Sequence, residues 1–423
     1  MSLPRRSVLL LALGVLVWPA CGGGESGASA GASAVAKSTP AAAASTPATP
    51  PPSPEGSTAG SANTSQKATV DPDAEYDKGS ALAAARRFAD ARQVFEEAAR
   101  RAPTNGSVAA AVAIFGDLAA KRISEDVVQR LFRATEHANA QRWAEAYADV
   151  DEAIRLAPDY PRAHGMRGTL LLGQGKAADA LKAFDQVVKL DARFAEGYYN
   201  RGAAHAALEQ YDAAIADYGR AIEIQPDFWD AYTNRGTAHL NRGVARQNAQ
   251  DAKDALADFT KAHELNPGAI EPLYQRGLLY ALAEEWDAAA ADFTVVIARD
   301  ASYALATYNR GLAYQHLGDD ARAVADYTKA IEIDSADPNP LINRGMLYAK
   351  QKSYERAIAD YVKAASLAPA MLNPYFNKGR ALEQMGRPKE AAAEYRVLLQ
   401  KAGSDDNALA GQARQRLAAI EKP

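Results

Sequence analysis

The stretch AEGYYNRGAAHAALEQYDAAIADYGRAIEIQP, residues 195–226, decides the fold of this chain. Small and apolar residues recur at spacings of three, four and seven on both sides of a break at residues 209–211. This pattern predicts two amphipathic helices that face each other. Pro226 ends the second helix, because proline has no N–H for a continuing helix. The sequence therefore predicts a helical hairpin as its basic unit.

The hairpin recurs along the chain with a fixed period. Its central glycine returns at intervals that are, by subtraction, 34, 34, 41, 34, 34 and 34 residues. A large residue follows most of these glycines after sixteen positions, and an alanine stands four residues before it. Such a period indicates a solenoid, in which each hairpin buries its apolar face only against its neighbours. The glycines are Gly168, Gly202, Gly236, Gly277, Gly311, Gly345 and Gly379.

This period, with its order of large residue, glycine, alanine, aromatic residue and proline, resembles the tetratricopeptide repeat (TPR) family. The resemblance implies an all-α fold, a right-handed TPR superhelix or α-solenoid with a concave channel. We predict a degenerate repeat and an extra helix in residues 71–126, about eight repeats in residues 127–403 and a capping helix in residues 404–423. Seven additional residues at 244–250 predict a longer hairpin, whose tip is either a partner contact or a linker irregularity.

The N-terminus indicates export from the cytoplasm. Arg5 and Arg6 precede an apolar run at residues 8–17 that is short for a membrane span, and Cys21 follows. Residues 1–20 resemble a bacterial lipoprotein signal peptide, which implies that Cys21 becomes the lipidated first residue. Trp18 and Pro19 depart from that pattern, so simple secretion and an uncleaved anchor stay open as alternatives.

Residues 21–70 consist almost entirely of Gly, Ala, Ser, Thr and Pro. Such a segment buries too little apolar surface to offset the entropy of ordering, so the sequence predicts a disordered tether on the order of 40 Å long. By the sorting habits of related lipoproteins, Gly22 favours the outer membrane, with the array facing the periplasm. A secreted or periplasmic protein is the alternative.

Composition excludes several classes of function. The formal net charge is −4 in 423 residues, which gives no indication of nucleic-acid binding. A single cysteine excludes an internal disulfide framework and a cysteine metal cluster. We expect no cofactor, no metal and no small-molecule substrate. His137, His205 and His239 lie one or more repeats apart at one packing position, and residues 168–176 lack the spacing of a phosphate loop.

Two columns of side chains precede the glycines and do not serve hairpin packing. The resemblance to TPR superhelices places them on the inner wall, and the amides resemble the asparagine ladder of the O-linked GlcNAc transferase, which binds extended peptide. An amide can pair with a peptide N–H and C=O together, and aromatic rings add contact area. The predicted peptide-binding residues are Asn200, Asn234, Gln275, Asn309, Asn343, Asn377, Tyr199, Tyr274, Tyr308 and Phe376.

An alternative role for this ladder is structural, with each amide bonded to the neighbouring repeat and the following arginines paired with acidic residues. The two roles are compatible. The function predicted from the sequence is a lipid-anchored, non-enzymatic TPR scaffold of the cell envelope that binds protein or extended peptide partners. The alternatives are a structural spacer, an assembly factor for a pilus or secretion pore, and an enzyme-associated subunit.

Overall fold

The computed structural model describes residues 71–103, 105–403 and 408–422. In these ranges the chain forms helices and no strand, which confirms the predicted all-α solenoid. The predicted signal peptide and tether, including Cys21, lie outside the described residues. No helix in the described ranges is both long enough and apolar enough to cross a bilayer.

The chain divides into two compact units between Ala238 and His239, within helix α10. The helices up to the division are α1 (Pro72–Ala84), α2 (Phe88–Arg101), α3 (Gly106–Ala119), α4 (Glu125–Asn139), α5 (Trp143–Leu156), α6 (Pro161–Gly173), α7 (Ala177–Leu190), α8 (Ala195–Ala207), α9 (Tyr211–Ile224) and α10 (Trp229–Arg246). The later helices are α11 (Ala249–Leu265), α12 (Glu271–Leu282), α13 (Trp286–Arg299), α14 (Ala304–His316), α15 (Asp320–Ile333), α16 (Pro338–Lys350), α17 (Tyr354–Leu367), α18 (Asn373–Gln384), α19 (Pro388–Ala402) and α20 (Ala408–Ile420).

Each repeat is a first helix followed by a second, antiparallel helix, as in α14 and α15. The glycine of the first helix lets the aromatic ring of the second approach closely. A Cβ at Gly345 would lie 2.7 Å from Tyr361 Cε1, and one at Gly168 would lie 2.5 Å from Phe184 Cε1. In the repeat of α4 and α5, Ala134 replaces the glycine and the smaller Val150 replaces the ring, so the contact volume is conserved.

The turn between the two helices of a repeat uses a left-handed residue seven positions after the glycine. Three of these positions hold glycine, Gly175, Gly318 and Gly386, for which a positive φ costs little. At the other turns a non-glycine residue adopts this strained backbone conformation. The angle φ is 57° at Gln141 and 61° at Arg86, and it is similar at the remaining turns. The residues of this second group are Arg86, Gln141, Glu209, Glu284 and Lys352.

Helix α3 is the extra helix that the sequence predicts after the first repeat. Its N-cap is Asn105, whose Oδ1 accepts from the backbone N–H of Val108 at 3.0 Å. Helix α4 begins after Ser124, whose hydroxyl accepts from Val127 N–H. Helix α1 packs directly on α4, so α3 is accommodated beside the stack without interrupting it.

The seven additional residues lengthen one hairpin. Helices α10 and α11 have 18 and 17 residues, where most other helices have 12 to 15. The triplet Asn234-Arg235-Gly236 is repeated one heptad later as Asn241-Arg242-Gly243. A Cβ at Gly243 would lie 2.9 Å from Asp251 Cβ, so this second glycine again permits close approach of the two helices. The insertion thus copies the packing motif and keeps the helical face.

First helices of adjoining repeats contact each other, as α6 contacts α8, α12 contacts α14 and α16 contacts α18. At the C-terminus, α20 packs on α18 and α19 as the first helix of a further repeat would. It buries Ala410 and Ala413 against Tyr395 and Leu398. Its exposed residues are alanine, glutamine and arginine.

Candidate functional site: the asparagine ladder

The first helices present the ladder amides at one position, immediately before an arginine or lysine and then the glycine. Three of these amides donate to the tyrosine of the preceding repeat, 35 residues earlier. Nδ2 of Asn234 lies 2.8 Å from the hydroxyl of Tyr199. The equivalent distances are 3.2 Å from Asn309 to Tyr274 and 3.0 Å from Asn343 to Tyr308. We call each of these inter-repeat hydrogen bonds a rung.

A rung forms where the residue 35 positions before the amide is a tyrosine. The residues 35 positions before the three other amides are Gly165, Leu240 and Ile342, and none of these carries a phenol. Gln275 instead donates to Glu271 of its own helix at 2.6 Å. Asn200 and Asn377 make no side-chain hydrogen bond within the described residues.

Burial divides the predicted peptide-binding residues into two groups. Five of them are covered by neighbouring side chains, and the amide of Asn309 is 1% exposed. Their burial favours the structural role that the sequence left open, a bond between repeats. The five are Asn309, Asn377, Tyr274, Tyr308 and Phe376. Peptide binding stays a prediction for the half-buried members, which are Asn200, Asn234, Gln275, Asn343 and Tyr199.

The rung tyrosines lie in a weakly polar environment. Burial raises the pKa of Tyr199, Tyr274 and Tyr308 above the ordinary value, and acidic neighbours such as Asp230 near Tyr199 add to the rise. The hydrogen bond from each asparagine acts in the opposite direction and is the weaker influence. The hydroxyls therefore stay protonated well above neutral pH and accept from the amides.

In four repeats the arginine that follows the amide pairs with a buried aspartate sixteen residues later, in the second helix. Nε and Nη2 of Arg310 both donate to Asp326 at 2.8 Å, in a two-bond geometry that is among the stronger ion pairs in proteins. The hydrogen bonds to the aspartates raise the pKa of the arginines. The suggested pairing of these arginines with acidic residues is confirmed for Arg201–Asp217, Arg276–Asp292, Arg310–Asp326 and Arg344–Asp360.

Several of these arginines also reach the preceding repeat. Nη1 of Arg344 donates to Thr328 Oγ1 at 2.9 Å, and Nη1 of Arg310 lies 3.3 Å from Thr294 Oγ1. In the other unit, Nη1 of Arg201 donates to Asp185 at 3.1 Å. Each such contact spans sixteen residues backwards, so one guanidinium joins two repeats.

The three histidines predicted to be packing residues each lie beside a carboxylate of the second helix. His239, Asp251 and Asp254 form a group close enough to surround a cation. Arg242 already occupies this space, because its Nη2 lies 3.3 Å from His239 Nδ1 and bonds Asp251. Burial opposes ionisation of Asp251, but bonds from Arg242 and His239 outweigh it, so its pKa is lowered. The arginine supplies the positive charge that a metal would bring.

Two features near the ladder were not predicted from the sequence. Arg322 and Arg356 stack on Tyr314 and Tyr348, with the guanidinium carbons 4.1 and 3.9 Å from the ring centres. The sequence feature that could have predicted both stacking contacts is an arginine at the third position of α15 and of α17. A shallow cavity of about 610 Å³ lies at the α14–α15 turn, lined by residues 317–322 and Asp287, and no ladder residue lines it.

Comparison with protein families gives matches along much of the chain. One model of the tetratricopeptide repeat matches residues 195–228 and 304–337. A second model of the same description matches residues 66–106, 131–192 and 342–407. Together these ranges cover more than half of the chain. A comparison with curated proteins gives no match.

Several solved structures are similar to this chain. The crystal structure of YrrB, described as a TPR protein with an unusual peptide-binding site, is 25% identical and covers 45% of this chain and 95% of its own, with a TM-score of 0.39. A tetratricopeptide repeat protein from Parabacteroides merdae is 21% identical and covers 63% of this chain and 100% of its own, with a TM-score of 0.42. MamA from Desulfovibrio magneticus is 21% identical and covers 42% of this chain and 97% of its own, with a TM-score of 0.39.

The helical hairpins, their glycine–aromatic contacts and the matched ranges agree with one another. TPR arrays are generally non-enzymatic scaffolds for protein–protein interaction, and they bind protein or peptide partners. The chain belongs to the tetratricopeptide repeat family.

Proposed function

We propose that this chain is a lipid-anchored TPR adaptor of the bacterial cell envelope that binds an extended segment of a partner protein. The lipoprotein-like pattern ending at Cys21 and the polar, proline-containing segment after it support the anchor. The anchor would be in the outer membrane, with the array in the periplasm. The array supports the adaptor role, since stacked hairpins offer a continuous surface for a bound chain.

The binding proposal rests on one observation, the absence of a hydrogen-bond partner for the amide of Asn200 on α8 within the described residues. The residue is half-buried. Gly165 stands where a rung tyrosine would be, and a Cβ there would meet only Val187 Cγ2 at 3.8 Å. We infer that the amide borders a gap beside α6 at this position. A peptide backbone entering this gap would find a donor and an acceptor on one side chain.

Partner recovery from the envelope tests the binding role. Full-length wild type and an Asn200→Ala variant are crosslinked in cells and purified from membranes. Loss of two neutral hydrogen bonds reduces recovery of the specific partners by roughly tenfold. The matched control is Asn241→Ala, which changes the same residue of an Asn-Arg-Gly triplet outside the ladder register. Equal recovery with Asn200→Ala and wild type would contradict the role, and recovery of no partner at all would favour a spacer.

The anchor has a separate test. Mass spectrometry of the mature protein is expected to show acyl groups on Cys21, and Cys21→Ser is expected to move the protein from the membrane to the soluble fraction. A mature protein without acyl groups would contradict the anchor and leave the binding result unaffected.

A further inference from the structure

Adjoining repeats between α12 and α17 are joined by polar bonds of two kinds. One is the rung, such as Asn343 to Tyr308. The other is the backward reach of an arginine to a threonine, such as Arg344 to Thr328. Both kinds occur between α12–α13 and α14–α15 and again between α14–α15 and α16–α17. We call a boundary with both bonds a tied boundary.

The last boundary, between α16–α17 and α18–α19, carries neither bond. Ile342 stands in the place of the rung tyrosine, Val362 in the place of the threonine and Lys378 in the place of the arginine. Nζ of Lys378 bonds Glu394 of its own repeat at 2.7 Å. Val362 is 48% exposed, the most of any large apolar residue described. Within the described residues, no side-chain hydrogen bond or ion pair joins α16–α17 to α18–α20.

Asn377 lacks a hydrogen-bond acceptor because Ile342 replaces the rung tyrosine. The residue is 7% exposed, and its Nδ2 is buried without a hydrogen-bond partner. In the tied boundaries the same atom donates to a tyrosine. A buried donor that has lost its acceptor keeps the full desolvation penalty, so this amide weakens the boundary instead of strengthening it.

The segment beyond this boundary is internally well connected. Glu383 of α18 accepts from Tyr395 of α19 and from Arg416 of α20, the latter at 2.9 Å. Arg396 of α19 pairs with Glu421 at the end of α20. The three helices share an apolar cluster, against which Ile358 of α17 also packs, and its buried members are Phe376, Leu382, Ala391, Tyr395, Leu398, Ala402, Ala410 and Ala413.

In a repeat array, stability is close to a sum of repeat terms and neighbour-interface terms, so the boundary without these polar bonds is expected to open before the tied boundaries. We infer that α18–α20 opens as one cooperative unit while α12–α17 stays folded. Its opening uncovers the sides of α16 and α17 that α18 contacts. This goes beyond the proposed function, because it assigns a conformational step to the C-terminal end of the array.

Hydrogen exchange followed by mass spectrometry on the full chain tests this inference. Amides of α18, α19 and α20 are expected to exchange together and at least roughly tenfold faster than those of α14–α17. The triple variant Ile342→Tyr, Val362→Thr, Lys378→Arg rebuilds the tie and is expected to slow exchange of α18–α20 alone. Unchanged exchange in a folded triple variant would show ordinary fraying of a chain end and overturn the inference.

Two single variants keep the test decisive if the triple variant fails to fold. Asn377→Leu removes an amide without a partner, so exchange of α18–α20 is expected to slow. Asn343→Leu makes the same chemical change at a tied boundary and removes a formed bond, so exchange of α16 and the helices after it is expected to quicken. The inference requires these opposite signs, and the same sign for both variants would overturn it.

Discussion

Asn309 and Asn200 occupy the same position of two TPR repeats and meet different surroundings. Asn309 is buried, and its amide donates to Tyr274 of the preceding repeat. Asn200 is half-buried beside Gly165 and makes no side-chain hydrogen bond within the described residues. One asparagine fastens two repeats together, and the other has its hydrogen-bonding capacity available.

The difference shows that the ladder position alone does not determine the role of an amide. The residue 35 positions earlier determines it, because that residue either supplies a phenol or leaves a gap. The ladder therefore contains both structural rungs and candidate binding positions, and substitutions can separate the two.

The largest expected effect is on stability. Asn309→Ala removes a buried hydrogen bond between two repeats, so we expect a loss of about 1–3 kcal/mol in the free energy of unfolding. Asn200→Ala breaks no internal bond and is expected to change it by less than about 0.5 kcal/mol. Urea unfolding followed by circular dichroism measures both. Equal losses would remove the distinction between the two positions.

Alkaline pH should lower the free energy of unfolding because of the buried rung tyrosines. Tyr274 and Tyr308 have pKa values raised above the ordinary 10 by burial, so above about pH 10 the unfolded chain loses protons that the folded chain retains. Stability is complete below that pH and falls above it, by up to about 1.4 kcal/mol per pH unit for each tyrosine. Unfolding midpoints between pH 8 and about 11 measure the slope. Tyr274→Phe and Tyr308→Phe should each flatten it, and an unchanged slope would count against buried phenols.

A rung can be installed where none exists. Gly165→Tyr places a phenol 35 residues before Asn200, in a position where a Cβ meets only Val187 at 3.8 Å. We expect the hydroxyl to add about 0.5–1.5 kcal/mol of stability and to reduce partner recovery, because Asn200 is then occupied. Gly165→Phe is the matched control, with the same ring and no hydroxyl. Identical stability for the two variants would show that no bond forms.

Much of the fold follows from the sequence, since a fixed period with a glycine and a large residue sixteen positions later defines a TPR hairpin. In the repeat of α4 and α5, Ala134 stands in place of the glycine and Val150 in place of the aromatic residue. The pattern therefore conserves the combined volume of the two contacting residues and not their identities.

The candidate site was harder to predict. The amides were found from their register, but which of them are buried depends on the separation of successive first helices, which no local pattern encodes. The rule that links Asn234 to Tyr199 was present in the sequence as a spacing of 35 residues. Only the structure shows that these two side chains meet.

The central claim is that the phenol and the amide of a rung act as a pair. A double-mutant cycle of Tyr308→Phe and Asn343→Leu measures this directly through the unfolding free energies of the four proteins. We predict a coupling energy of about 0.5–1 kcal/mol between the two residues, because each single change already removes the bond. Additive effects, with no coupling, would contradict the account.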